Sequence, residues 1–89
     1  MTRAINYDAR SRDRRAMKHY LILIESTETG YSAYSPDLPG CVAIGSTPEE
    51  VHQNMQDTIE FHLEGLQIEG FLIPTPQTAI DYIEIAFNR

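Results

Sequence analysis

The side chains in this sequence that could do chemistry are few and scattered. His19, His52 and His62 are candidate metal ligands. No pair of them has H-x3-H spacing and no cysteine cluster accompanies them, so no recognised metal-site pattern forms. Asp37 stands between Pro36 and Leu38-Pro39, where a carboxylate could serve as a catalytic acid or base. The plainer role is to cap its own backbone in a turn, as aspartate commonly does. Cys41 is the single cysteine. It lies in an apolar stretch without an adjacent base, which suits a small buried hydrophobe better than a nucleophile. Glu49, Gln53, Gln56, Asp57, Glu60 and Glu64 recur along one side of a helical stretch. Such a row is ordinarily a solvated face; its other use is to meet a basic partner. No glycine-rich phosphate loop is present. These residues point to a protein that binds rather than one that catalyses, with no metal and no cofactor.

Charge is distributed unevenly. Residues 1–16 carry five arginines against Asp8 and Asp13, a balance of +3, while residues 17–89 carry Lys18 and Arg89 against eleven acids, a balance of −9. The sum is the net charge of −6. An acidic body repels phosphate backbones and favours a basic protein partner. Residues 1–17 read as a basic N-terminal extension, mobile in the plainest reading. They would also fit an upstream extension of the reading frame, since Met17-Lys18 makes a natural start, or a basic arm that touches nucleic acid. Residues 18–89 form one domain, long enough for a single modest core. No apolar run approaches the roughly 18 residues a membrane span needs. No secretory signal is legible, and a lone cysteine fits a reducing cytoplasm.

The elements that must position these residues follow from pattern. His19–Glu25 is apolar and β-branched, and Tyr31–Ser35 carries aromatics on both faces; a polar turn ending in Gly30 joins them into a hairpin. Pro36 and Pro39 lack amide donors and restrict their predecessors, so 36–40 is a loop, and Gly40 is free to take a positive φ. Cys41–Ile44 is a third strand. Thr47-Pro48-Glu49-Glu50 then spells a helix start: an N-cap, a proline in the first turn and a capping-box glutamate. Val51, Met55, Ile59, Leu63 and Leu66 form one apolar stripe, with His62 beside it and Gly70 as the terminal cap. Gly65 interrupts the stripe and loosens the last turn. Phe71–Thr78, with Pro74 and Pro76, is an extended connector. Ala79–Phe87 alternates, with Ile83, Ile85 and Phe87 on one face, and predicts a fourth strand.

The stretch from Gly30 to Gln77 closely resembles the HicB-like domain of type II toxin–antitoxin systems. The matching positions are Tyr31, Pro36-Asp37-Leu38-Pro39-Gly40-Cys41, Gly45, Thr47, Glu49-Glu50, Leu63-Glu64-Gly65 and Ile73-Pro74-x-Pro76. With the first strand the similarity covers about residues 19–87. The resemblance implies an α+β fold in the order β-β-β-α-β: a partial RNase H-like sheet of four strands, ordered 3-2-1-4, with one long helix packed on one face. It implies an antitoxin-like module that binds and neutralises a small, basic, mRNA-cleaving toxin of the HicA type. On that reading Asp37, Leu38, Glu49, Asp57, Glu60 and Glu64 face the partner, with Leu38 presented by a loop that its two prolines pre-order. Fuller antitoxins of this kind continue into a DNA-binding C-terminal domain. The sequence here ends at the fourth strand, so direct DNA binding is not expected of it. Open strand edges on so small a domain point to a homodimer or homotetramer. Two other readings stand beside this one: a solitary HicB-like protein without a toxin, and a degenerate RNase H-like hydrolase using Asp37 with helix glutamates and a divalent ion. Such a metal site needs converging carboxylates, and the first strand offers none at its middle.

Overall fold

The computed structural model of the protein describes residues 17–88. The arginine-rich extension expected to be mobile therefore lies, apart from Met17, outside the described residues, as does Arg89. Strands β1 (Leu23–Ser26), β2 (Tyr31–Tyr34) and β3 (Val42–Gly45) precede helix α1 (Pro48–Glu69). The strands form one antiparallel sheet in the order β1-β2-β3, with Leu23 opposite Tyr34 and Ser26 opposite Tyr31 in the first pair. Tyr31 also faces Gly45, and Tyr34 faces Val42.

β1 is shorter than the apolar run that suggests it. Its partner explains this: after Ser35 comes Pro36, which has no amide to continue the ladder. Beyond Leu23 the ladder is replaced by a single side-chain bond, in which Ser35 Oγ donates to the Leu21 carbonyl at 2.8 Å. The hairpin is closed by the Thr27 amide donating to the Gly30 carbonyl at 2.8 Å.

The helix start follows the sequence with one refinement. Thr47 has extended dihedrals and its hydroxyl accepts from the Glu50 amide at 3.0 Å. The Glu50 carboxylate reaches back past the cap itself and accepts from the Ser46 amide at 2.6 Å. The box is thus closed one residue further upstream than its usual form. Gly65 does not break the helix, which runs on to Glu69. Gly70 ends it in the left-handed region at φ 80. There its amide donates to the Gln67 carbonyl at 3.1 Å and the Phe71 amide to the Leu66 carbonyl at 2.8 Å, the paired bonds of a Schellman cap.

The helix lies across one face of the sheet, chiefly over β3 and β2 and hardly at all over β1. Gly45 permits this approach. A Cβ there would sit 2.6 Å from the Val51 nitrogen, closer than atoms can come without a backbone shift. The core that results is small: Ala33, Leu38, Cys41, Val51 and Met55, with Tyr20, Ile22, Tyr31, Ala43, Ile59 and Leu63 packed around it. Only the first two turns of the apolar stripe are fully buried; Ile59, Leu63 and Leu66 are half covered.

A fourth strand is not formed among the described residues. Ala79–Phe87, whose alternation predicts one, forms no regular element and pairs with no strand, and its side chains lie in solvent. The sheet therefore shows the 3-2-1 part of the expected order without the final strand. Alternation states what a segment is suited to bury; a strand also needs a neighbour, and within this chain the segment has none.

Thr47→Ala should cost about 1 kcal/mol of folding stability. Combined with Glu50→Ala the losses should fall short of their sum, because both side chains close the same box. Chemical denaturation of the two single variants and the double variant checks this.

Candidate functional site

The Pro36–Gly40 loop links the sheet to everything downstream. The Leu38 amide donates to the Ser35 carbonyl at 3.2 Å and the Cys41 amide to the Leu38 carbonyl at 3.1 Å, two successive tight turns. These turns direct the Leu38 side chain inwards. It is 0% exposed, against Val51 and Met55 in the core cluster. The two prolines do pre-order the loop, but they do not present Leu38 to a partner; the leucine is the plug of the fold. Cys41 is buried beside it, which pushes its thiol pKa upward and away from thiolate chemistry.

Asp37 points the other way. Its Oδ2 accepts from the Gln77 amide and the Thr78 amide, both at 3.0 Å, and its Oδ1 accepts from the Thr78 hydroxyl at 2.8 Å. The Thr78 amide, then the Gln77 amide and the Thr78 hydroxyl, hold the carboxyl below the usual aspartate range. Asp37 does cap backbone, but that of a segment 40 residues away rather than its own. Tyr20 strengthens the same junction by donating its hydroxyl to the Pro74 carbonyl. The tyrosine pKa is raised, first by burial and then by the nearby Asp37 charge. The PDLPG loop and the IPTPQT connector are thus two halves of one clamp. Gln77, Thr78 and Tyr20 are the partners that sequence reasoning missed. The visible signal was a pair of polar residues directly after a proline-stiffened connector.

This geometry bears on the hydrolase reading. A carboxylate with three donors on its two oxygens is a structural anchor, with little capacity left for a metal or a substrate. Among the described residues, no three His, Cys, Asp or Glu side chains gather to hold a metal ion.

The remaining site candidates lie apart from Asp37 and together with each other. Glu49, Asp57, Glu60 and Glu64 are all exposed on α1, and Glu60 and Glu64 stand at the rim of an apolar groove. Glutamines interleave with them: Gln53 donates to Asp57 at 3.1 Å and Gln56 to Glu60 at 3.4 Å. Lys18 is the only lysine or arginine among the described residues, so this ridge is a field of one sign. A second feature lies beside it. A groove of about 840 Å³ runs between residues 17–22, the helix and Ile73, and is floored by Tyr20, Ile22, Met55, Ile59 and Leu63.

Three strands, one long helix and a proline-flanked loop fall within the span matched by the HicB-like antitoxins of bacterial toxin–antitoxin systems. The model of that family matches residues 20–86, and the chain belongs to it. A UPF0150 protein of Helicobacter pylori is 38% identical over 66 residues, covering 73% of this chain and 92% of that protein. An uncharacterised 14.9 kDa protein of Haemophilus phage HP1 is 36% identical over 64 residues, covering 72% of this chain and 48% of the phage protein. The chain therefore spans about half the length of the phage relative. Among solved structures, the HicA3 and HicB3 toxin-antitoxin complex contains a chain that superposes with a TM-score of 0.59 at 35% identity, over 67% of this chain and 70% of that one. The HicB3 antitoxin alone gives the same score and identity over 44% of its length.

Two outcomes follow from the loop. Leu38→Ala empties a fully enclosed site and should cost about 2–5 kcal/mol, read as a lowered denaturation midpoint. The lowered Asp37 pKa fixes the sign of a pH effect. The clamp contributes fully above the ordinary aspartate pKa of about 3.9 and is lost as pH falls through the lower folded value. Hydrogen exchange at the Gln77 and Thr78 amides should therefore be protected at pH 5–6. That protection should fade in acid, and Asp37→Ala should abolish it at every pH.

Proposed function

We propose that this domain is an antitoxin module that binds and neutralises a small basic toxin of the HicA type. The observation that carries the proposal is the acidic ridge of α1: Glu49, Asp57, Glu60 and Glu64 on one exposed side, in a body with a single lysine. A toxin that cleaves mRNA must present cations to a phosphate backbone. A ridge of carboxylates at helical spacing can occupy those cations and compete with the RNA. Family membership and the resemblance to a chain of a toxin–antitoxin complex support the reading. Leu38 takes a supporting part in it by filling the core on which the helix rests, and Asp37 by fastening the connector at Gln77 and Thr78. The same acidity disfavours DNA contact by this domain. Neutralising a toxin that acts on mRNA places the protein in the cytoplasm.

Charges at the rim of an interface govern mainly the association rate and its salt dependence. Glu60→Lys with Glu64→Lys should slow association with a cognate HicA-type toxin and flatten the dependence of that rate on ionic strength. Both sites are exposed, so folding should be unaffected. Surface plasmon resonance across a salt series reads both effects; unchanged kinetics in the folded double variant would overturn the assignment of the ridge.

A further inference from the structure

The groove between residues 17–22, the helix and Ile73 combines two chemistries. Its floor is apolar and only half covered, with Ile59 and Leu63 on the helix and Tyr20 and Ile22 on the chain before β1. Its rim is charged. Glu60 and Glu64 stand on the helix side and Lys18 on the other. Asp57, exposed three residues before Glu60, continues the carboxylate row, so that three acids follow one another at about one helical turn.

Arginine is the side chain that suits such a surface. Its methylene stem covers apolar area while its guanidinium pairs with a carboxylate through parallel bonds, and its plane stacks on a ring such as that of Tyr20. Residues 1–16 hold five of the six arginines of the chain and no lysine. They join the body at Met17, which itself lines the groove. Length fits as well. The helix residues along the groove run from His52 to Gln67, about 23 Å at a rise of 1.5 Å per residue. About seven extended residues span that distance. Residues 10–16 lead directly into Met17 and carry Arg10, Arg12, Arg14 and Arg15. Laid out as an extended chain, Arg10, Arg12 and Arg14 would share one side at intervals of about 6.6 Å, near the helical pitch of about 5.4 Å that spaces the acids.

We propose that the groove is a docking site for the chain's own arginine-rich arm: residues 10–16 fold back from Met17 along the helix, set their arginine stems over Ile59 and Leu63, and pair their guanidinium groups with Asp57, Glu60 and Glu64. The occupant belongs to the same molecule, and the proposal does not depend on a toxin. For any basic partner that uses the same carboxylates, the arm is a tethered competitor. It weakens that partner's hold in proportion to the time the row is covered.

Methyl NMR signals of Ile59 and Leu63 should differ between the full chain and a variant beginning at Met17, which retains the whole core cluster and its surround, residues 20–63. The difference should persist on dilution, shrink as salt is added, and vanish in the full chain carrying Arg12→Glu and Arg14→Glu. Adding Glu60→Arg and Glu64→Arg to that variant should restore it. A synthetic peptide of residues 1–16 is the second probe. With an effective concentration of about 1 mM for the tethered arm, a peptide that binds the Met17 variant at about 100 μM should bind the full chain about tenfold more weakly. Identical methyl signals with and without residues 1–16, a difference that disappears on dilution, no binding of the peptide to the Met17 variant, or equal affinity for both chains would each overturn the proposal. So would methyl signals that respond to Ile83→Asp with Ile85→Asp but not to the arginine variants, which would give the groove to residues 79–87.

Discussion

Leu38 is the one side chain without which the other elements have no reason to meet. The loop between β2 and β3 contains two prolines and offers no ladder of its own, so it contributes to the core by turning a leucine inwards. That leucine closes a core of five fully buried residues. With so few, each contact carries a large share of the stability, and packing at native density leaves no slack to redistribute it. The helix can settle on this core because Gly45 has no side chain, and its first two turns are the ones that settle. The rest of the stripe is held only loosely, which is why an apolar trough remains open along its far half.

What was legible in the sequence was the local chemistry. Thr47, Pro48 and Glu50 mark the start of the helix and Gly70 its end, because caps are made by residues adjacent to the backbone they satisfy. The three strands and the hairpin were legible for the same reason. What was not legible depends on direction and distance. Two prolines announce a stiff loop but not which way Leu38 points. An aspartate in that loop announces a cap but not a cap on a segment 40 residues later. The alternation of residues 79–87 announces a strand but not the absence of a neighbour. The acidic ridge sits between these cases: helical spacing put Glu49, Asp57, Glu60 and Glu64 on one side, and the structure leaves that side bare.

The two polar systems are kept apart in a way that divides their work. Asp37 is saturated by donors and serves the chain internally. The ridge carboxylates are solvated, with Asp57 and Glu60 bonded to neighbouring glutamines, and project a negative field outwards. A partner drawn by that field would meet the helix, and at Glu60 and Glu64 it would also reach the rim of the apolar groove.

The long reach of the Asp37 and Tyr20 bonds also orders events in time. The hairpin, the loop turns and the helix caps join residues only a few positions apart, whereas the clamp joins residues 40, 41 and 54 positions apart. Contacts of short sequence separation close first and those of long separation last. On refolding, the sheet and helix, built from closer contacts, therefore form before residues 73–78 are fastened. The connector is then fastened onto a body already made, and it is the first part to let go when the molecule opens.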